Sequence, residues 1–261
     1  MIKKPDVCIL RADGINCDEE TFHAFESAGA KCTMVHINQL RRGEEKLSRY
    51  QILALPGGFS YGDDIHSGKI LAVELIYFLK EQLTEFVNNG KLIIGICNGF
   101  QVLVRTGLLP YRRLGEIKTT LMDNSSGHFE CRWVNLLIES SHCVFTRGMA
   151  GRVMSAQVAN SGGKFYTSPD ILQDIENKGQ VVFRYAGNDG HPTLSYPANP
   201  NGSINAIAGI CDSTGRIMGL MPHPERCVSQ TQHPNWRRLD NNISQCCRDI
   251  FKNAVEYVRE A

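Results

Sequence analysis

Residues 92–103 read Leu-Ile-Ile-Gly-Ile-Cys-Asn-Gly-Phe-Gln-Val-Leu, and the pattern of the sequence changes in the middle of this segment. The apolar run that opens it is typical of a strand buried in a parallel sheet. The apolar positions that follow Cys97 predict a helix, and Gly107 is expected to end it. A strand, a sharp turn and a helix are therefore predicted in succession, with Cys97 at the turn.

The turn itself has the spacing of a nucleophile site. Gly95-Ile96-Cys97-Asn98-Gly99 matches the pattern G-x-nucleophile-x-G, with cysteine in the position that serine often holds. Glycines allow a sharp turn without side-chain clashes. Cys97 is therefore expected to project from the end of the sheet at a helix N-terminus, whose dipole favours thiolate over thiol. The alternative interpretation is a structural cysteine, because cysteine is often buried.

The composition excludes several classes of protein. A chain of 261 residues allows one large or two small domains. A net charge of +1 gives no electrostatic argument for a nucleic-acid or membrane partner, and no apolar run approaches the roughly 20 residues that span a bilayer. The first residues lack the apolar region of a signal peptide, and the cysteines are scattered without a C-x-x-C pair. We therefore expect a cytoplasmic protein with reduced thiols and no zinc framework.

The order of the predicted elements indicates an α/β fold. A strand at Val7–Leu10, a helix that Asp18 is expected to cap and a strand at Cys32–His36 predict a parallel sheet with right-handed crossovers. One long helix is predicted over Ile70–Val87. The second half is predicted to be mainly β and antiparallel at one edge of the sheet. Its strands are expected within residues 124–136, 153–158, 181–185, 204–210 and 216–221.

A glycine-rich loop follows a further predicted strand at Gln51–Leu55. It reads Pro56-Gly57-Gly58-Phe59-Ser60-Tyr61-Gly62-Asp63-Asp64, and such loops offer backbone N–H groups to a phosphate or an oxyanion. The glycine spacing matches neither common nucleotide-binding pattern, which disfavours a nucleotide site. Because ligands of open α/β sheets bind beyond the carboxyl ends of the strands, this loop and Cys97 are expected at the same edge.

His223 is the best candidate for a base that would activate Cys97. It lies in Pro222-His223-Pro224-Glu225-Arg226, directly after the predicted strand at 216–221. The prolines favour an extended chain, in which residues two apart point to the same side. Glu225 is therefore expected to accept the ring N–H of His223 and to leave the other nitrogen for the thiol. The alternative is a surface His-Pro turn with an unrelated glutamate.

The order Cys97, His223, Glu225 differs from that of α/β-hydrolases, in which the acid normally precedes the histidine. It resembles the class I, triad-type glutamine amidotransferases. The resemblance implies a single domain over residues 1–261 that forms a flavodoxin-like three-layer sandwich, with a mostly parallel central sheet and an antiparallel β extension. It also implies that Cys97 attacks the side-chain amide of L-glutamine, that His223 relays protons to the departing ammonia and that Glu225 orients His223.

The same resemblance indicates which residues hold the substrate. Backbone N–H groups of Asn98 and of the glycine-rich loop would hold the oxyanion. Gln101, one helical turn after the nucleophile, matches a family position that contacts the bound glutamine. No metal ligand is expected. The expected substrate-binding residues are Gly57, Gly58, Phe59, Asn98 and Gln101.

Four stretches narrow the resemblance to the glutaminase subunits of phosphoribosylformylglycinamidine synthase. The resemblance implies that ammonia passes to a separate synthetase subunit, which uses ATP and magnesium to convert formylglycinamide ribonucleotide to its amidine in de novo purine biosynthesis. In some such systems a small third subunit bridges the two, and no cofactor is expected in this chain. The four stretches are Gly14-Ile15-Asn16-Cys17-Asp18, Pro56–Asp63, Cys97–Gln101 and Phe129-Glu130-Cys131-Arg132-Trp133-Val134.

Residues 159–165 depart from the usual sequence of that family. Asn160 and Gly162 stand where the family usually has His and Glu, so altered substrate contacts or partner docking are expected, with the nucleophile chemistry intact. The chain also exceeds the length expected for the family, and the additional residues are placed around 169–201. Cys17 lies near the same sheet edge but lacks the strand–turn–helix context of Cys97, so it is predicted to be structural.

The sequence leaves other functions open on the same residues. One is another class I amidotransferase or a γ-glutamyl hydrolase. A second is a glutamine-sensing domain without catalysis, for which the altered loop at Asn160 is the motive. A third is a cysteine peptidase, because a triad alone does not define the acceptor.

Overall fold

One large sheet organises the chain, whose structure is a computed structural model that describes residues 4–238 and 243–260. The strands are β1 (Asp6–Arg11), β2 (Lys31–His36), β3 (Ile52–Leu55), β4 (Leu92–Ile96), β5 (Thr119–Met122), β6 (Glu130–Ile138), β7 (Val153–Asn160), β8 (Lys164–Thr167), β9 (Val181–Ala186), β10 (Ile207–Cys211) and β11 (Ile217–Leu220). Nine of them form the sheet in the order β2-β1-β3-β4-β11-β10-β9-β6-β7, and β5 pairs with β8 in a small separate sheet.

The large sheet has a parallel half and an antiparallel half. From β2 through β1, β3 and β4 to β11, each strand is parallel to its neighbours. β10 runs antiparallel to β11, and β9, β6 and β7 continue this pairing to the far edge. Every residue of β3, β4 and β11 is buried, which explains their continuous apolar sequences. The structure confirms the predicted α/β class, with its antiparallel extension in the second half.

Helices cover both faces of this sheet. They are α1 (Asp18–Ser27), α2 (Ile37–Arg41), α3 (Lys69–Phe78), α4 (Lys80–Asn88), α5 (Asn98–Thr106), α6 (Pro169–Asn177) and α7 (Ile243–Glu260). α1 packs on α7, and α3 packs on α5, which covers β3, β4 and β11. The connections from β1 to β2 and from β3 to β4 run in opposite directions along the sheet, so right-handed crossovers place their helices on opposite faces. Within residues 4–238 and 243–260, no helix is long and apolar enough to cross a membrane.

Two predictions about helices were wrong, and the helix α6 was not predicted. The helix predicted over Ile70–Val87 is two helices, separated at Leu79, which has φ −120° and ψ 15°. Neither proline nor glycine marks this break, and the buried side chain of Leu79 holds the junction against the core. Asp18 does not cap α1, because Cys17 is the N-cap and the Asp18 carboxylate pairs with Arg11 at 2.6 Å. α6 was not predicted, although it begins with proline, a residue that favours helix starts.

Two glycines determine how closely α5 lies on the sheet. A Cβ on Gly99 would be 1.9 Å from the carbonyl oxygen of Leu55, and a Cβ on Gly95 would be 2.6 Å from the carbonyl oxygen of Gly99. The left-handed backbone at this turn belongs to Cys97, which has φ +52°. The glycines therefore permit close approach of the helix, and the unusual turn conformation falls on Cys97 instead of on them.

Gly99→Ala should destabilise the fold. The free energy of unfolding is expected to fall by about 3 kcal/mol or more, because the new Cβ meets backbone instead of a flexible side chain. Gly43→Ala is the control, since a Cβ there meets nothing within 4 Å and only the left-handed φ is expected to cost about 1 kcal/mol. Urea unfolding measures both variants, and equal losses would contradict close packing as the reason for Gly99.

Candidate active site

Cys97 forms the turn between β4 and α5. Its backbone has φ +52° and ψ −107°, a combination that L-residues adopt only where surrounding contacts impose it. The N–H of Cys97 donates to the carbonyl of Leu220 at 2.8 Å, and its own carbonyl accepts from Phe100 and Gln101 at 3.0 and 3.1 Å. These bonds hold the residue between the sheet and the first turn of α5. Cys97 is only 4% exposed and lies at a helix N-terminus, where negative charge is favoured.

His223 and Glu225 form a buried pair after β11. Nδ1 of His223 and Oε1 of Glu225 are 2.6 Å apart. The predicted extended chain was wrong, because Pro224–Cys227 forms a 3₁₀ turn with His223 at its N-cap. Pro224 occupies the first position of that turn, which its fixed φ suits. A 3₁₀ turn, instead of the predicted extended chain, therefore brings the Glu225 carboxylate to the His223 ring.

The second ring nitrogen of His223 has no hydrogen-bond partner among the residues that the structure describes. The backbone N–H of His223 donates to the carbonyl of Gln157 at 2.8 Å, which fixes the residue to β7. Nε2 is buried and has no hydrogen-bond partner in the described parts of the chain. Because an unpaired buried nitrogen is costly, it indicates a position where a reacting group is accommodated.

Opposing effects set the pKa of His223. Burial lowers this pKa because it disfavours the charged ring, but the carboxylate of Glu225 and the neighbouring sulfur of Cys97 raise it by more. The pKa of His223 is therefore well above its usual value of 6.5. A raised pKa favours the protonated imidazolium form of the ring, and a positively charged neighbour favours the thiolate form of a cysteine.

Gly57 brings the glycine-rich loop into contact with both groups. A Cβ on Gly57 would be 2.8 Å from Cε1 of His223 and 3.3 Å from Cβ of Cys97. The N–H of Phe59 donates to the carbonyl of Gly14 at 2.8 Å and fixes the loop to the segment after β1. The segments that follow β3, β4 and β11 therefore meet at one point of the sheet edge.

Two backbone N–H groups, those of Asn98 and Gly58, have no hydrogen-bond partner among the described residues. Asn98 is the first residue of α5, so its N–H has no helical carbonyl one turn earlier. The bonds that fix the glycine-rich loop use the N–H of Phe59 and the carbonyl of Gly57, and they leave the N–H of Gly58 unused. Two such donors are what an oxyanion requires. The side chain of Phe59 is 39% exposed and lies near Phe129 at the surface.

Gln101 is engaged inside the protein. Nδ2 of Asn98 donates to Oε1 of Gln101 at 2.9 Å and to Oδ1 of Asp63 at 3.1 Å. Nε2 of Gln101 donates in turn to the carbonyl of Gly162 at 2.5 Å. This network joins the first turn of α5 to the glycine-rich loop and to the segment that departs from the family sequence. A contact between Gln101 and bound glutamine stays a prediction.

Residues 159–165, which depart from the family sequence, lie directly against Cys97. Sγ of Cys97 and the carbonyl oxygen of Ala159 are 3.9 Å apart. Asn160 is buried, its Oδ1 accepts from Asn201 at 2.8 Å, and its carbonyl accepts from Asn124 at 2.8 Å. The asparagine that replaces the expected histidine therefore belongs to a buried amide network, which fixes the carbonyl beside the thiol.

Cys17 lies at this sheet edge as predicted, and Arg226, which was not predicted there, joins it. Sγ of Cys17 is 3.2 Å from the Cβ position of Gly57, and it accepts from Nη2 of Arg226 at 3.0 Å. Cys17 follows β1, the neighbour of β3, which explains its place near Gly57. Its contact with Arg226 depends on the packing of distant segments, for which no sequence pattern exists.

Comparison with known proteins identifies the family. Residues 4–258 match the model of the CobB/CobQ-like glutamine amidotransferase domain. The chain is 44% identical over 271 residues to the phosphoribosylformylglycinamidine synthase subunit PurQ of Methanococcus maripaludis, and the match covers 97% of each chain. This chain belongs to the PurQ family of glutamine amidotransferases. PurQ of Dehalococcoides mccartyi is 46% identical over 260 residues, covering 99% of this chain and 100% of the relative.

Solved structures agree with this assignment. A chain in the structure of PurLQS from Thermotoga maritima matches with a TM-score of 0.76 and 32% identity, over 98% of this chain and 100% of that one. A glutamine amidotransferase of Thermotoga maritima with 14% identity and a TM-score of 0.57 supports the fold alone. The two PurQ relatives do not show the additional length expected at 169–201, because their matches cover 97% and 99% of this chain. That region supplies α6 and β9 of the fold.

Glu225→Gln should lower the pKa of His223. The amide can still accept from Nδ1–H, but the negative charge that opposes the burial effect is lost. The ring is then expected to titrate at lower pH and to lose its proton near neutral pH. The ¹³Cε1 shifts of labelled histidines measure this titration. His233, whose lowered pKa is caused by burial, is the internal control. An unchanged midpoint for His223 would refute the electrostatic role of Glu225.

Proposed function

We propose that this chain hydrolyses L-glutamine to glutamate and ammonia, with Cys97 as nucleophile, His223 as proton carrier and Glu225 as the residue that orients His223. One observation carries the proposal. A cysteine held in a strained turn at a helix N-terminus lies beside a histidine whose Nδ1 is bonded to a buried carboxylate, and whose Nε2 has no hydrogen-bond partner in the described part of the chain. A nucleophile, a base and a group that orients the base are the parts that acyl transfer needs.

The chemistry follows from these positions. The Cys97 sulfur attacks the carboxamide carbon of glutamine, and the oxyanion accepts hydrogen bonds from the N–H groups of Asn98 and Gly58. His223 gives its Nε2 proton to the leaving nitrogen, so that ammonia departs and a γ-glutamyl thioester remains. Water then gives a proton to the neutral ring and attacks the thioester. Collapse of this second intermediate releases glutamate and restores the thiolate beside the imidazolium.

The relatives support a partner for the ammonia. Those that match over nearly the whole chain are named as PurQ subunits of phosphoribosylformylglycinamidine synthase, and one matching structure is of PurLQS. We infer that the ammonia passes to a PurL-like synthetase subunit, which uses ATP and magnesium to convert formylglycinamide ribonucleotide to formylglycinamidine ribonucleotide. A PurS-like small subunit completes the assembly, this chain carries no cofactor of its own, and the reaction takes place in the cytoplasm.

Glutamate release tests the chemistry. Cys97→Ala should lower the rate by about 10⁴-fold or more, because without the sulfur no thioester forms. Cys32→Ala is the matched control, since Cys32 lies in the edge strand β2 away from the site, and it should keep the wild-type rate. Release that survives in Cys97→Ala would refute the proposed mechanism.

The partner is tested in the same assay. Release by the wild type should rise when a PurL-like subunit loaded with ATP, magnesium and formylglycinamide ribonucleotide is added. A rate of glutamate release that does not change when this partner is added would agree with the cysteine chemistry but would refute the purine assignment. Cleavage of γ-glutamyl peptides without a partner would indicate a γ-glutamyl hydrolase. Glutamine binding without release under any condition would indicate a sensor.

A further inference from the structure

A second thiol lies at the centre of the candidate site. Cys17 is buried at the N-cap of α1, and its Sγ, Cε1 of His223 and Cβ of Cys97 all lie within 3.3 Å of the place where a Cβ on Gly57 would be. Sγ of Cys17, a ring nitrogen of His223 and a carboxylate oxygen of Glu225 are within 4.8 Å of one another. Cys17 therefore packs beside the catalytic ring, although the proposed reaction gives it no chemical step.

Arg226 fixes this thiol in place. Nη2 of Arg226 donates to Sγ of Cys17 at 3.0 Å, and the thiol donates to Oδ1 of Asn16 at 3.2 Å. The sulfur thus accepts one hydrogen bond and gives another, which defines its position. Nη1 of Arg226 donates to Oε1 of Gln157 at 3.1 Å. The backbone carbonyl of Gln157 accepts from the N–H of His223. The Arg226 guanidinium therefore contacts two residues next to His223: Gln157, which bonds its backbone, and Cys17, which lies beside its ring.

Arg226 stays positively charged in this environment. Burial lowers the pKa of Arg226, but Cys17 and the carboxylate of Glu225 raise it by more, so its pKa lies above the usual value. The guanidinium group also holds its N–H donors in one plane, and Nη1 and Nη2 of Arg226 each donate a hydrogen bond here. Such a group suits the task of fixing two partners at a set separation.

The ring of His223 needs a second contact beyond Glu225. The bond from Nδ1 to the carboxylate fixes one edge of the imidazole, but a single hydrogen bond still permits the ring to tilt about it. A group packed near Cε1 restricts that tilt and thereby keeps Nε2 directed at the sulfur of Cys97. Gly57 lies against Cε1, and Sγ of Cys17 lies within 4.8 Å of a ring nitrogen of His223.

We propose that Cys17 and Arg226 form a positioning pair, in which Arg226 holds the thiol of Cys17 beside the His223 ring so that Nε2 stays aligned with Cys97. This inference rests on the proposed glutaminase function. Neither residue exchanges a proton or forms a bond in the reaction. Both act through the orientation of His223.

Kinetics of the complete chain with its synthetase partner provide the first test. Cys17→Ala and Arg226→Gln should each lower kcat about tenfold with little change in the KM for glutamine, since a misplacement of about 1 Å can cost up to 10²-fold. The double variant should lose no more than either single variant, because both changes remove the same contact. Cys17→Ser should recover much of the loss, because the hydroxyl can both accept from Arg226 and donate to Asn16.

Controls separate positioning from general packing. Cys8→Ala removes a buried thiol from β1 away from the site, and Arg216→Gln removes a partly buried guanidinium that bonds Tyr257. Both should keep the wild-type kcat even if their melting temperatures fall. Equal losses of kcat in Cys17→Ala and Cys8→Ala would overturn the inference, as would a raised KM with unchanged kcat.

A chemical probe distinguishes this inference from the proposed function. 6-Diazo-5-oxo-L-norleucine, a reactive glutamine analogue, should label Cys97 of the wild type, as read by mass spectrometry of the Cys97 peptide. In Cys17→Ala and Arg226→Gln the labelling should be about tenfold slower, with a changed pH profile. Wild-type labelling rates in both variants would refute the positioning pair and leave the proposed function intact. No labelling of Cys97 in the wild type would instead refute the proposed function.

Discussion

The first turn of α5 lies so close to β3 that a side chain at position 99 would collide with the backbone of Leu55. Because the helix begins against the sheet, the chain must reverse direction at the single residue between β4 and α5. That residue is Cys97, whose left-handed backbone is stabilised by hydrogen bonds to Leu220 and to the helix. The position of the sulfur thus depends on the packing of the core, and the strain is sustained by that packing.

Burial also governs the charges of the site. Moving an ion out of water costs several kcal/mol, and this cost is offset only where a partner of opposite charge is close. The 2.6 Å contact between His223 and Glu225 supplies that partner. The carboxylate raises the pKa of His223 and so favours a proton on the ring. A protonated ring in turn favours the thiolate form of a neighbouring cysteine, so one buried carboxylate affects both groups of the proposed reaction.

The sequence allowed part of this site to be predicted. The turn at Cys97 was predictable because an apolar run, two glycines and a helical pattern all fall within residues 92–103. The pairing of His223 with Glu225 was predicted from an extended chain, whereas a 3₁₀ turn brings the two side chains together. The contact between Cys17 and Arg226 joins positions 209 residues apart, so no local pattern could indicate it. The helix break at Leu79 has neither glycine nor proline next to it, so the sequence did not indicate it. It depends on tertiary packing.

Neighbouring strands position the two groups of the proposed reaction. Cys97 directly follows β4, His223 comes soon after β11, and Gly95 and Ile96 lie opposite Gly219 and Leu220 in their ladder. His223 and Glu225 share one turn, so their separation is fixed within that turn. The distance between the Cys97 thiol and the His223 imidazole instead depends on how β4 and β11 are aligned. A slip of two residues, the smallest that keeps each side chain on its own face of the sheet, would carry His223 about 6.6 Å along the sheet and leave its pairing with Glu225 unchanged. A change in the pairing of β4 with β11 would therefore change the distance between Cys97 and His223.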